Sequence, residues 1–319
     1  MKPLLNISIE ELSSCQIVKW GYTEELQPLS LGIFKDWLER GDHTPLSYLS
    51  DHRGDIRKSL LDYYPQGSSV VSFLFDYRQS KKHQNENTSK LKLAGYVSGF
   101  EGVDYHRWIG ERLNSIGEKL KCERGGLEFR LSLDIHPVLE RDLAYRAGLG
   151  WFGKNSMLIN QDVGSFNLIG SIVFNQKLNL GKNSFVADHC GHCSACIEAC
   201  PTDAIDTKTR TLIAKKCISN FTIEQFKDDL PAPKGYPTQT KEIFGCDICQ
   251  DVCPWNKKSL KMITAKSDSK WNEFFNRSEQ EIYNDIQLMS NKKYKLFFKD
   301  TSFERLGKKG MLKNLRYYL

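Results

Sequence analysis

Apolar residues recur along this chain with two periods, and the switch between them lays out its N-terminal part. Leu29, Ile33, Phe34, Trp37 and Leu38 return at helical spacing and stop at Gly41, which predicts a core helix closed by a glycine. Val70-Val-Ser-Phe-Leu-Phe75 is almost unbroken in apolar character and predicts a buried strand. Trp108, Ile109, Leu113, Ile116 and Leu120 then share one side of a helix that opens at Tyr105. The period next falls to two. Phe129, Leu131 and Leu133 alternate with Arg130 and Ser132, so a strand should end at Asp134. Pro137 suits the first turn of a following helix through Leu139, Leu143, Ala144 and Ala147, closed by Gly148. Asp134 is therefore expected at the end of a strand just ahead of a helix, where open sheets place catalytic groups; a helix cap is the plainer alternative.

Gly148-Leu-Gly-Trp-Phe-Gly-Lys154 lacks the spacing of a phosphate loop and predicts close backbone approach to a flat ligand or another strand. Met157–Ile159 and Phe166–Phe174 read as strands around a turn at Asp162–Gly164, in a sheet of mixed direction.

The densest chemistry lies between Cys190 and Pro254. Cys190, Cys193, Cys196 and Cys200-Pro201 form a C-x2-C-x2-C-x3-C-P run, and Cys246, Cys249 and Cys253-Pro254 form a second. The first is the bacterial ferredoxin pattern, in which the cysteine before proline ligates the other of two 4Fe-4S clusters. Cys217 lies between the runs and supplies an eighth thiolate. One cluster would take Cys190, Cys193, Cys196 and Cys253, the other Cys200, Cys217, Cys246 and Cys249. Zinc or disulfides are the competing readings, but zinc sites pair two short knuckles and leave no role for the third cysteine or the cysteine-proline ends.

With 319 residues and a hydrophobic fraction of 40%, the chain can bury a large domain plus a smaller one. The division expected is a catalytic domain over 1–180, a ferredoxin-like domain over 181–260 and a basic helical region over 261–319. Of the ten cysteines, Cys15 and Cys122 remain outside the clusters, which points to a reducing compartment. Met1–Asn6 opens no signal peptide and no stretch is apolar enough to span a membrane, so a cytoplasmic protein is expected. The net charge of +6 is uneven, since Pro254–Leu319 carries fifteen Lys/Arg against seven Asp/Glu. That asymmetry suggests a polyanion partner, with a solvated helical face as the alternative.

Taken together, several motifs resemble the epoxyqueuosine reductase family. They are Asp134 with Pro137 and Glu140, Arg146-Ala-Gly-Leu-Gly-Trp-Phe-Gly-Lys-Asn155, Asp188-His-Cys190, Lys216-Cys-Ile-Ser219 and Phe244-Gly-Cys-Asp-Ile-Cys-Gln-Asp-Val-Cys-Pro-Trp-Asn256. The chain ends at Leu319, as shorter members do, without the helical-repeat extension, and Ser98–His106 departs from the usual tryptophan-containing form. The resemblance implies an α+β fold: a cobalamin-binding domain with a mixed α/β sheet and a ferredoxin-like two-cluster domain. It implies reduction of epoxyqueuosine to queuosine in the wobble position of tRNA, with electrons passing through two 4Fe-4S clusters to cobalamin. Asp134 would be the proton donor, its pKa raised by partial burial. Cobalamin contacts would come from Arg57, Val97, Asp134, Ile159, Gly170, Ser219, Cys246 and Asp247. The partners implied are tRNA carrying epoxyqueuosine and an unidentified low-potential electron donor, with no membrane, and the protein is expected to be a monomer. The rival readings are a corrinoid reductive dehalogenase, a family typically exported with a twin-arginine signal absent here, and a ferredoxin-type electron carrier.

Overall fold

The structure is a computed structural model that describes residues 2–86, 91–181, 184–226, 230–237, 239, 241–264 and 270–319. Its strands, in chain order, are β1 (Ile17–Thr23), β2 (Ser69–Asp76), β3 (Lys92–Leu93), β4 (Phe129–Ser132), β5 (Trp151–Phe152), β6 (Leu158–Ile159), β7 (Asn167–Phe174) and β8 (Glu242–Phe244). The chain forms two compact units, each discontinuous in sequence. One comprises Met1–Asp76 with His106–Cys193, the other Tyr77–Tyr105 with Ser194–Leu319.

The first unit is built on a sheet in the order β1-β2-β7-β4. The α+β class holds, but the sheet expected to be of mixed direction is antiparallel throughout; among the described residues, parallel pairing occurs in the separate β3·β8 pair. β2 reads as a continuous apolar run because both its faces are covered. Toward one face, Gly170 of β7 lies under Ile109 and Leu113 of the helix Tyr105–Glu123, and a Cβ there would come within 2.8 Å of Leu113. Toward the other face, Leu60, Val70, Leu143 and Val173 cluster, with Leu143 supplied by the helix Glu140–Arg146. The polar pair at the centre of the sheet, Ser72 and Ser171, is satisfied by a 2.8 Å hydrogen bond between the two hydroxyls.

Two further sequence expectations need correction. The helix over the first periodic stretch exists as Leu31–Glu39, but none of its residues is buried, and Ile33 is 51% exposed. Its Phe34 and Trp37 rings meet each other, at 6.3 Å, and Trp37 meets His43. Periodicity reveals an apolar side but not what covers it. The helix after Asp134 begins at Glu140 rather than at Pro137. Residues 133–139 fold instead into tight turns closed by His136 N–H to Leu133 C=O at 2.8 Å and Val138 N–H to His136 C=O at 2.8 Å. Asp134 is thus presented by a short irregular loop.

The glycine-rich stretch makes β5, which pairs with β6. A Cβ on Gly150 would stand 2.1 Å from the Ile159 carbonyl oxygen, so this glycine serves the close strand-to-strand approach that the sequence suggested.

The second unit gathers Leu93, Val97, Phe244, Trp271, Ile282, Phe298, Phe303, Met311 and Leu315 into one core. The basic tail is helical over Ser302–Arg316, with a break at Gly307, whose φ of 70° favours glycine. Its Lys313 is turned inward, donating to the carbonyls of Phe221 at 2.6 Å and Gln225 at 2.5 Å. No helix among the described residues is long and apolar enough to cross a membrane.

Candidate active site and cluster-binding residues

β4 is held to β7 through pairs that run to Ser132↔Ser171, and the chain then leaves the sheet to present Asp134. The Asp134 side chain is 39% exposed, and its Oδ1 lies 2.7 Å from Nε2 of His106 at the start of the helix Tyr105–Glu123. His136 steadies the loop: its Nδ1 accepts the Leu133 N–H at 2.9 Å and its ring packs 5.6 Å from that of Tyr63. Burial pushes the His136 pKa down, which keeps the imidazole neutral and able to accept that bond.

Glu140 carries the lifted carboxyl. Its Oε2 is shut off from solvent without a hydrogen-bond partner. Burial, followed by the charge of Asp134, pushes its pKa up to about 8, while Arg141, His106 and Arg57 pull the other way. Arg57 is itself buried and donates to the Tyr48 carbonyl at 3.4 Å. The loop after β4 therefore assembles Asp134, His106, Glu140 and Arg57 within one electrostatic group. Of this group, sequence reading had singled out Asp134 and Arg57, and placed Glu140 in a motif without a role. It missed His106, although that residue sits at the start of a helix whose apolar side was clear.

Farther along the same unit, Lys154 donates to the carbonyls of Gly191 at 2.8 Å and Cys193 at 2.9 Å. Trp151 Nε1 stands 3.5 Å from Cys190 Sγ, and Asp188 accepts the Cys190 N–H at 2.8 Å. The glycine-rich stretch thus ends in a lysine that shapes the first cysteine turn. Ile159 is buried in β6, and Gly170 is filled around by side chains; a contact from Gly170 to a cofactor would involve its main chain.

In the second unit, Cys196 lies in the helix Ala195–Ala199, Cys200 caps its end, and this helix packs on Ile248–Asp251, which carries Cys249. Cys217 caps the start of the helix Ile218–Ile223 and faces the N–H groups of Ser219 and Asn220. Burial drives the thiols of Cys217, Cys246 and Cys249 up. Neighbouring thiols add to this, since Cys217 feels Cys200, Cys246 feels Cys249 and Cys217, and Cys249 feels Cys217, Cys200 and Cys196. All ten cysteines are free thiols. Among the described residues no three His, Cys, Asp or Glu side chains converge closely enough for a single metal ion. Four neighbouring, partly buried thiols, with helix N–H groups aimed at one sulfur, fit an iron-sulfur cluster as a donor set.

Val97 is buried in the core beside β8. Asp247 is buried and its carboxylate is already occupied: Oδ2 accepts from Gly95 N–H at 2.7 Å and Lys81 at 3.0 Å, and Oδ1 from Gln250 at 3.2 Å. Asn220, next to Ser219, is buried with both its amide oxygen and nitrogen unpartnered. A corrin rimmed with amide side arms offers the complementary donors and acceptors, so this neighbourhood fits cobalamin chemically.

Comparison with known proteins adds to this geometry. The family description "Epoxyqueuosine reductase QueG, DUF1730" matches residues 57–134, and "4Fe-4S double cluster binding domain" matches residues 189–256. The epoxyqueuosine reductase of Leadbetterella byssophila is 35% identical over 307 residues, covering 95% of this chain and 92% of that protein. That of Cyclobacterium marinum is 38% identical over 249 residues, 77% of this chain and 75% of that protein. The solved structure of epoxyqueuosine reductase from Streptococcus thermophilus superposes with a TM-score of 0.79 at 22% identity, covering 97% of this chain and 78% of the other, and shares its fold.

Proposed function

The chain belongs to the epoxyqueuosine reductase family, and on that premise we propose how its own residues divide the work of reducing epoxyqueuosine in tRNA to queuosine. The reaction removes the epoxide oxygen from a cyclopentane ring, leaves an alkene, consumes two electrons and two protons, and releases water. The cofactors are cobalamin and two 4Fe-4S clusters. When bound, they supply a one-electron relay and a strongly reducing metal centre.

The observation that carries the assignment is the Asp134–His106 pair at the loop after β4. Asp134 gives the departing oxygen one of the two protons it needs to leave as water, and His106 orients the carboxyl. Arg57, Val97, Ile159, Gly170, Ser219, Cys246 and Asp247 are assigned to the cofactor, Asp247 through its main chain because its carboxylate is committed elsewhere. By cysteine spacing, one cluster takes Cys190, Cys193, Cys196 and Cys253, the other Cys200, Cys217, Cys246 and Cys249. The functional division keeps proton chemistry in 1–180, the clusters in 181–260, and tRNA docking in the basic region 261–319. We assign the protein to the cytoplasm, acting as a monomer with a low-potential donor. The reductase reading has the relatives' names behind it, and the dehalogenase and carrier readings do not.

The test is anaerobic reconstitution with iron, sulfide and cobalamin, followed by nucleoside analysis of tRNA carrying epoxyqueuosine. Conversion to queuosine is expected. A protein that holds iron and cobalamin yet leaves the epoxide untouched under excess reductant would overturn the reading.

A further inference from the structure

Lys81, on the helix Arg78–Glu86, is buried to 6% exposure, and its ammonium lies 3.0 Å from Asp247 Oδ2 and 2.9 Å from Asp251 Oδ1. Those two carboxylates bracket Cys249, and Asp247 directly follows Cys246. The turn is packed tightly around the pair: a Cβ on Gly95 would come within 3.0 Å of the Lys81 stem and 3.3 Å of Asp247 Oδ2. Glu242 adds a further negative charge nearby, felt by both Cys246 and Asp251. A buried ammonium is retained only where paired charges compensate its lost hydration. Here it compensates two carboxylates on the very turn that presents two thiols.

We propose that Lys81 is a positioning and charge-setting residue for the cluster held by Cys200, Cys217, Cys246 and Cys249. It fixes the turn that presents Cys246 and Cys249, and its charge holds that cluster's reduction potential up. The inference rests on the cysteine assignment proposed above. Reduction adds one electron to the cluster and so one negative charge. A buried positive charge close by stabilises the reduced form, a negative one destabilises it, and both effects are strong where water is excluded.

The sign of the effect separates charge from mere architecture. Lys81→Met and Asp251→Asn cut the same ion pair, yet they remove opposite charges. Lys81→Met should shift the potential of one cluster to more negative values and Asp251→Asn to less negative values, while Lys81→Arg should stay near the parent. The experiment is a redox titration of the reconstituted full chain, followed by electron paramagnetic resonance, with iron counted per chain. Opposite shifts at full iron content support the inference. Unmoved potentials, or shifts of the same sign in both variants, overturn it. Should Lys81→Met fail to retain iron, Asp251→Asn against Lys81→Arg decides, and an Asp251→Asn potential that does not rise overturns it. Cys249→Ala guards the premise: unchanged iron there defeats the cysteine assignment, whereas lost iron with unmoved potentials defeats this inference alone.

Discussion

His106 Nε2 and Asp134 Oδ1 lie 2.7 Å apart, so a helix start and a loop after β4 share one proton-bearing contact. Asp134→Asn keeps the size of the side chain but cannot give up a proton. Turnover should fall by roughly 10²–10⁴, the usual worth of a positioned general acid. Iron content, bound cobalamin and the thermal midpoint should stay close to the parent. If Asp134 only shaped the loop, asparagine would serve nearly as well, and single-turnover rates would show it.

Glu140 makes stability depend on pH in a definite direction. Its folded pKa is pushed up to about 8 from an ordinary 4.5, mainly by burial. Between those values the unfolded chain loses the proton while the folded chain keeps it, so stability falls as pH rises through this window and levels off above it. Glu140→Gln carries no such proton. The midpoint of the variant relative to the parent should therefore improve from the acid end of the window to the alkaline end, by a few degrees. A difference in midpoint that is flat with pH would place the Glu140 carboxyl in water.

The two cysteine-proline ends predict crossed ligation. Intact protein should hold about eight irons, and Cys200→Ala should lose the cluster shared with Cys217, Cys246 and Cys249. Cys253→Ala should instead cost the cluster of Cys190, Cys193 and Cys196. Each variant should retain about half the iron, and the two remaining spectra should differ. Identical residual spectra would mean that the ends do not cross.

Among the tail lysines, Lys292, Lys293 and Lys309 are exposed, whereas Lys308 donates to the carbonyls of Gln287 at 2.8 Å and Met289 at 2.5 Å. Reversing the three exposed charges should weaken binding to the tRNA anticodon stem-loop and reduce the salt slope by roughly 0.7 for each phosphate no longer neutralised. Thermal stability should hardly change. Lys313→Met should do the reverse, lowering stability through two orphaned carbonyls while leaving the salt slope alone. An unchanged slope in the triple variant would move the tRNA surface elsewhere.

The sequence was most legible where one residue type must repeat. Eight cysteines announced two clusters, β2 announced itself by an apolar run covered on both faces, and the long helix from Tyr105 by the helical period of the one side that it buries. Asp134 was legible because chain direction and a turn define a strand end. His106, Lys81 and Lys154 were not. Their roles depend on partners 28, 166 or 37 residues away, and nothing in a local pattern encodes such a pairing. The helix Leu31–Glu39 shows the converse error, a clear apolar side none of whose residues is buried. Pro137 misled for a related reason, since proline suits tight turns as well as helix starts.

Asn314 has its own consequence for the order in which the molecule is made. Its amide donates to the carbonyls of Thr222 and Ile243, each at 2.8 Å, and so joins the helix behind Cys217 to the strand ahead of Cys246. Synthesis proceeds from the N-terminus, and the strap carrying Asn314 is added about 60 residues after Cys253 has emerged. Until then the helix behind Cys217 and the strand ahead of Cys246 lack this tie. Assembly of the second unit is thus a late event, and iron delivered before the strap docks would meet an unfinished cradle.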